Sequence, residues 1–204
     1  MIKSREKNIN RRGDIMNKNK SRLITFCGLC VAINIVLGIA TSALKLPFYL
    51  DTLGTVITAA LVGPIPGAIV GALTNIITGF MYSIRDIPFL LVNVAVALIV
   101  GFVAKKFEFN YKNSIITGLV LAVVCPLIGT PIGIALYGGL TGTASDVFVL
   151  WLKASGQGIF AASFIPKIGN NLLDKIGTCM MAVLLIKYLP MSMKSSLKNY
   201  EKIS

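Results

Sequence analysis

The stretch LITFCGLCVAINIVLGIATSAL, residues 23–44, decides the fold of this chain. It contains 22 residues and no charged side chain, and about 20 apolar residues are enough for a helix to cross the hydrocarbon core of a bilayer. A basic segment, residues 1–22, precedes it with eight Lys and Arg. The apolar region of a secretory signal is shorter, so we interpret residues 23–44 as the first membrane span.

The rest of the chain has the composition of an integral membrane protein. Of the 204 residues, 55% are hydrophobic and 14% are charged, and the mean hydropathy is +0.78. Five more apolar segments follow, at residues 50–62, 68–82, 87–104, 114–136 and 172–189. We therefore predict an all-α bundle of six transmembrane helices. This membrane domain, residues 23–189, would lie between a basic, disordered tail (1–22) and a second tail (190–204).

The positions of the basic residues predict the orientation of the bundle. Residues 1–22, residues 105–112 and the chain after residue 186 together contain 15 of the 20 Lys and Arg. Short loops rich in Lys and Arg stay on the cytoplasmic side of a membrane, so we expect both termini to be cytoplasmic. The net charge of +12 then reflects topology and attraction to the lipid bilayer, and we expect no nucleic acid partner.

The segment at residues 146–165 has two interpretations. It is apolar but contains Lys153, Ser155, Gln157 and Ser163, so it either forms a further span or lies across the outer mouth of the bundle. A seventh full span would place the Lys-bearing C-terminal tail outside the cell. We therefore favour an outer amphipathic segment between spans five and six.

Acidic and amide side chains in or near the predicted spans are candidate ligand contacts. A charge within the hydrocarbon region costs at least about 2.5–3.5 kcal/mol, so it is usually paired, cavity-facing or near a boundary. Asp51 and Asp174 begin their predicted spans, where a carboxylate can cap the helix or contact a ligand. Asn93 lies inside the fourth span, where an amide needs a second helix or a ligand as its partner.

Aromatic and polar residues of the predicted outer loops extend this set. Trp151 can anchor at the membrane interface or stack on a ligand. The other candidates in this region are Tyr49, Lys153, Gln157 and Asn171. These loops contain both acidic and basic residues, so the sequence leaves the charge of a ligand open.

The sequence contains no motif that indicates an enzyme. It has no His, which is the commonest metal ligand and the usual general base. It also has no Walker loop and no G-x-S-x-G motif. We therefore predict no catalytic residue, no metal and no cofactor, and any primary transport would take its energy from a partner that hydrolyses ATP.

Four short motifs accompany this architecture. They are LP followed by LDTLGT (46–47 and 50–55), GPIPGAIVG (63–71), TN (74–75) with Asn93, and NNLLDK (170–175). Together with the six predicted spans, they make the chain resemble the substrate-binding (S) component of an energy-coupling factor (ECF) transporter. The resemblance covers residues 20–190.

This resemblance implies a multi-pass protein of the bacterial plasma membrane that captures a small, vitamin-like nutrient from outside. Its partners would be a transmembrane coupling subunit and two cytoplasmic ATPases, forming an ABC-type importer. The coupling face of the family is an Ala-x-x-x-Ala pattern on span one, which Gly28 and Ala32 match here with Gly in the first position. The family's pocket implies ligand contacts at Asn93, Trp151, Lys153, Gln157, Asn171 and Asp174, with Tyr49 and Asp51 near its roof.

Two other functions stay open at this point. A stand-alone secondary transporter or channel would carry a small solute without partners, although a proton- or sodium-coupled carrier needs an ionisable residue near the bilayer midplane. A membrane sensor module would instead act through a separate signalling chain.

Overall fold

The computed structural model describes residues 2–46, 49–140 and 146–201. Within these ranges every regular element is a helix, which confirms the predicted all-α class. The helices are α1 (Ile2–Ala43), α2 (Leu53–Leu61), α3 (Pro64–Met81), α4 (Leu90–Lys106), α5 (Tyr111–Tyr137), α6 (Asp146–Ala154), α7 (Ile159–Tyr188) and α8 (Met191–Glu201). A short 3-10 helix, Ile84–Phe89, leads directly into α4.

Several helices are long and apolar enough to cross a membrane. Among the described residues there are four such segments, and a fifth if α7 and the first part of α8, bent by 111°, count as one span. The four segments are Lys20–Ala43, Pro64–Met81, Ile84–Lys106 and Tyr111–Tyr137. The chain is therefore a multi-pass membrane protein, while the count of six spans and the cytoplasmic position of the tails at residues 1–22 and 190–204 stay predictions.

The second predicted span is much shorter than expected. Of residues 50–62, only the nine of α2 are helical. At 1.5 Å per residue, α2 is about 13 Å long, less than half of a bilayer core of about 30 Å. Gly54 packs so closely on the Cys30 carbonyl that a Cβ would overlap it, and Cys30 lies more than three turns before the end of α1. Helix α2 therefore starts inside the bundle rather than at its end.

The region predicted as an amphipathic segment and a last span is divided differently in the structure. Helix α6 ends at Ala154, and Gly156, with a φ of +87°, lies in the turn that follows. Helix α7 then begins at Ile159 and continues for 30 residues, through the whole predicted span at 172–189. Residues 146–165 therefore do not form a span of their own, because their last part is the beginning of α7.

A buried amide fixes the first three helices against one another. The Asn34 side chain on α1 is fully buried, and its Nδ2 donates to Thr55 Oγ1 of α2 at 2.9 Å and to Thr74 Oγ1 of α3 at 3.1 Å. Its Oδ1 accepts from the Gly54 N–H at 2.6 Å. An amide away from water needs such partners, so these bonds set the register of α1, α2 and α3.

Small residues allow close packing elsewhere in the bundle. A Cβ on Gly118 of α5 would lie 2.7 Å from the Ile176 Cα of α7. A Cβ on Gly101 of α4 would lie 2.5 Å from the Pro64 Cα at the start of α3. Glycine lets the backbones approach at these crossings. At the far end of the chain α8 returns to α1, where Arg22 Nη1 donates to Ser196 Oγ at 3.4 Å.

Candidate functional site

A cavity of about 660 Å³ lies between α1, α3, α4, α5, α7 and the segment before α2, residues 49–52. This volume is within the range of about 300–1,000 Å³ that is usual for small-molecule sites. The wall extends to the C-terminal ends of α1, α3 and α5, at Ser42, Tyr82 and Tyr137. The cavity therefore lies toward the end of the bundle where these three helices finish.

The opposite end of the bundle is basic. Lys105 and Lys106 end α4, and Lys112 lies in the first turn of α5. Because the C-terminal end of α5 lies at the cavity, its first turn and the preceding end of α4 lie at the far side. The cavity and this group of lysines are therefore at opposite ends of the molecule.

The structure brings half of the eight candidate binding residues into the cavity wall. These four are Tyr49, Asp51, Asn93 and Asn171. Asn171 on α7 also donates from Nδ2 to the Lys167 carbonyl, one turn earlier, at 2.9 Å. Residues from three separate parts of the sequence thus meet in one wall.

The other candidates lie elsewhere. Trp151 on α6 is 64% exposed, and Lys153 and Gln157 are exposed nearby, all outside the cavity wall. Gly28 and Ala32, the candidate coupling positions, are both exposed one turn apart on α1. A contact of any of these five with a ligand or a partner stays a prediction.

Asp174 has a structural position that the sequence did not indicate. It lies in the middle of α7 rather than at a helix start, so its interpretation as a helix cap is wrong. Its side chain is buried, and its Oδ1 accepts from the backbone N–H groups of Tyr49 at 3.0 Å and Leu50 at 2.8 Å. Leu50 has a φ of +51°, a conformation that costs a branched residue energy. Asp174 therefore attaches α7 to the strained segment before α2.

Lys175 completes this attachment. Its Nζ forms an ion pair with Asp174 Oδ2 at 2.7 Å and donates to Thr52 Oγ1 at 3.1 Å. Thr52, and not the predicted Asp51, is the N-cap residue of α2, and it makes no side-chain cap bond. Asp51 instead lines the cavity beside Gly38 of α1.

An amide pair connects α3 and α4 in the same wall. Asn93 Nδ2 donates to Asn75 Oδ1 at 2.7 Å, which confirms the interhelical role expected of a buried amide. Asn93 is 3% exposed, and its Oδ1 has no hydrogen-bond partner among the described residues. The pair therefore presents an acceptor that protein groups leave unused.

Two lysines in the cavity wall were missed as site residues from the sequence. Lys167 and Lys175 are 7% and 3% exposed, and both line the cavity. With Asn171 they are spaced four residues apart, which places all three on one face of a helix. This spacing could have identified them if residues 159–188 had been interpreted as one helix.

One comparison with known proteins identifies a family. The model of the family "ECF transporter, substrate-specific component" matches residues 22–187, which is most of the chain. The match includes every residue that lines the cavity. No curated protein and no solved structure matches the chain. Members of this family are substrate-binding membrane subunits that work with coupling and ATPase subunits. The chain belongs to the family of ECF transporter substrate-specific components.

Proposed function

We propose that this protein captures a small, vitamin-like nutrient outside a bacterial cell and delivers it inward with a transmembrane coupling subunit and two cytoplasmic ATPases. The observation that carries the proposal is the position of the cavity opposite the basic end of the bundle. Basic loops stay in the cytoplasm, so the cavity would face outward. A capture subunit needs a binding site that opens on that side.

The proposed topology has six passes with both termini in the cytoplasm. The first pass is α1, and the chain returns through the segment before α2 and through α2 itself. Helices α3, α4, α5 and α7 then make the remaining four passes. Lys187, near the end of α7, would lie on the same side as the basic residues before residue 23, as the positive-inside rule requires. Helix α6 would lie outside, where Trp151, Lys153 and Gln157 stay candidates for contacts at the cavity mouth.

The proposed docking face for the coupling subunit is the exposed side of α1. Nothing lies within 4 Å of a Cβ placed on Gly28, and Ala32 is exposed one turn later. Small residues at this spacing let a helix of another subunit approach closely. A bulky side chain at either position would keep the partner helix away without touching the cavity.

The test is a mild-detergent pull-down of the tagged protein from its native membranes, followed by mass spectrometry of partner proteins and retained small molecules. We expect a coupling subunit, two ATPases and a retained compound. Gly28→Leu should lose the partners and nutrient uptake but keep the compound. The matched control is Gly169→Leu, since Gly169 is an exposed glycine of α7 with equally open space around it. Full partner recovery and normal uptake with Gly28→Leu would refute the docking face.

A further inference from the structure

The Lys167 ammonium group lies in the cavity wall and has no hydrogen-bond partner in the part of the chain that the structure describes. The side chain is 7% exposed, and its Nζ has no hydrogen-bond partner among residues 2–46, 49–140 and 146–201. A buried cation that lacks an acceptor is unfavourable, and such groups are normally paired. Because the described residues supply no acceptor for Lys167, we expect a molecule bound in the cavity to supply one.

The acidic residues of the wall, Asp51 and Asp86, and Asp146 outside it do not accept a hydrogen bond from Lys167 Nζ. Asp86 Oδ1 accepts from the Tyr137 hydroxyl at 2.7 Å. The charge of Asp51 acts on Lys175, the lysine that already has an ion pair with Asp174. Asp146, at the start of α6, attracts Lys167 without a hydrogen bond to it. None of these carboxylates provides an acceptor for Lys167 Nζ.

The surroundings of Lys167 form a defined place for a ligand group. Gly133 of α5 faces the ammonium group, and a Cβ there would lie 2.9 Å from Lys167 Nζ. The Phe89 ring is near the same point, with its Cζ 3.9 Å from that Cβ position. The absence of a side chain at Gly133 thus leaves space at the ammonium group, and Phe89 supplies an apolar wall beside it.

We infer that the substrate is a small organic acid whose ionised carboxylate binds Lys167, an inference that rests on the proposed function. A single ammonium group matches a single carboxylate, whereas a phosphate group is usually held by several donors. The unused Asn93 Oδ1 accepts an N–H or O–H of the same molecule. Apolar residues of the wall, among them Phe89 and Val92, cover the body between these two polar groups.

The experiment uses the purified full chain in detergent and the small-molecule filtrate of a rich growth medium as the probe. The filtrate is offered untreated and after methyl esterification, and retained compounds are identified by mass spectrometry. We expect the wild type to retain a carboxylic acid but not its methyl ester. Lys167→Gln should lower retention about ten- to hundredfold, the usual loss for one charge-assisted hydrogen bond. Lys112→Gln, an identical change on the exposed first turn of α5, should not.

A second variant keeps the charge of Lys167 and changes only the space beside its ammonium group. Gly133→Ala places a methyl group 2.9 Å from Lys167 Nζ, closer than normal contact, and the flexible end of the lysine can move aside, so the protein should fold. Its retention of the acid should also fall. A retained compound without a carboxyl group, or equal retention by the wild type and Lys167→Gln, would overturn the inference.

The outcomes separate this inference from the proposed function. If the wild type captures the coupling subunit but retains no carboxylated compound, only the carboxylate inference falls. If it captures no coupling subunit and retains no compound, the proposed function falls, and the inference falls with it.

Discussion

Replacing Asp174 with Asn tests how the bundle is held together. The change removes the counter-ion of Lys175, which stays buried with its Nζ 3.1 Å from Thr52 Oγ1. The new amide oxygen can still accept from Tyr49 and Leu50, so those two bonds are weakened rather than lost. Removing one partner of a buried ion pair typically costs about 3–5 kcal/mol. This is a large share of a net stability of about 5–15 kcal/mol.

The cysteines of the chain provide the assay. Cys30, Cys125 and Cys179 are buried free thiols, so a thiol-reactive dye reports unfolding when heating exposes them. For a chain of this size, 1 kcal/mol shifts Tm by about 2–4 °C. Asp174→Asn should therefore lower Tm by roughly 6–20 °C. Glu108→Gln makes the same chemical change at an exposed loop position and should leave Tm nearly unchanged.

A double variant identifies the cause of the loss. Asp174→Asn combined with Lys175→Met removes both charges, so no uncompensated cation stays buried. Replacing a whole buried ion pair by neutral groups is often close to neutral for stability. The double variant should therefore regain a substantial part of the Tm lost in Asp174→Asn. A single variant as stable as the wild type, or a double variant no more stable than the single, would refute this account of the attachment.

Three further substitutions should each change Tm in a defined direction in the same assay. Gly54→Ala should lower Tm strongly, because the new Cβ overlaps the Cys30 carbonyl, whereas Gly177→Ala, which has open space, should not. Lys45→Gly should raise Tm, because Lys45 has a φ of +51° directly after α1 and Gly adopts that conformation without penalty. Lys112→Gly, inside α5, should instead lower Tm, because Gly within a helix costs roughly 0.5–1 kcal/mol of stability. Lys167→Gln should raise the Tm of the ligand-free protein, since it removes a buried cation that has no hydrogen-bond partner among the described residues; an unchanged or lower Tm would contradict this reasoning.

The sequence predicted α3, α4 and α5 to within a few residues. The start of α3 was predicted four residues late, at residue 68, because Pro64 was assigned to a turn, whereas it lies in the first helical turn, where a proline is tolerated. Asn110 caps α5 by accepting from the Asn113 N–H at 3.0 Å, a local interaction typical of helix starts. Such boundaries depend on neighbouring residues, so a single sequence contains the information.

The second predicted span is only partly helical for a reason that is not local. Residues 50–62 are apolar enough to reside in a membrane, but apolar composition does not determine whether the backbone is helical. The N–H groups of Tyr49 and Leu50 bond to Asp174, about 125 positions away along the chain. A carboxylate from α7 thus replaces the helical bonds that the backbone would otherwise need in a membrane.

The start of α7 was missed because its polar residues resembled a loop. Lys167, Asn170 and Asn171 precede the apolar stretch, and Pro166 lies just before them. In the structure the helix continues through all four positions. Polar residues there are compatible with a membrane helix because Lys167 and Asn171 face the cavity, so their positions mark the site and not the end of the span.

The two buried lysines of α7 have different roles although they lie on the same helix face. Lys175 is neutralised by Asp174 and holds the segment before α2 in place. Lys167, two turns away, has no such partner among the described residues. Removing the acid beside Lys175 should therefore destabilise the protein. Removing the charge of Lys167 should stabilise the empty protein and weaken binding. If the Asp174 and Lys167 variants change stability in opposite directions, residues of this helix that maintain the fold can be distinguished from those proposed to bind the substrate.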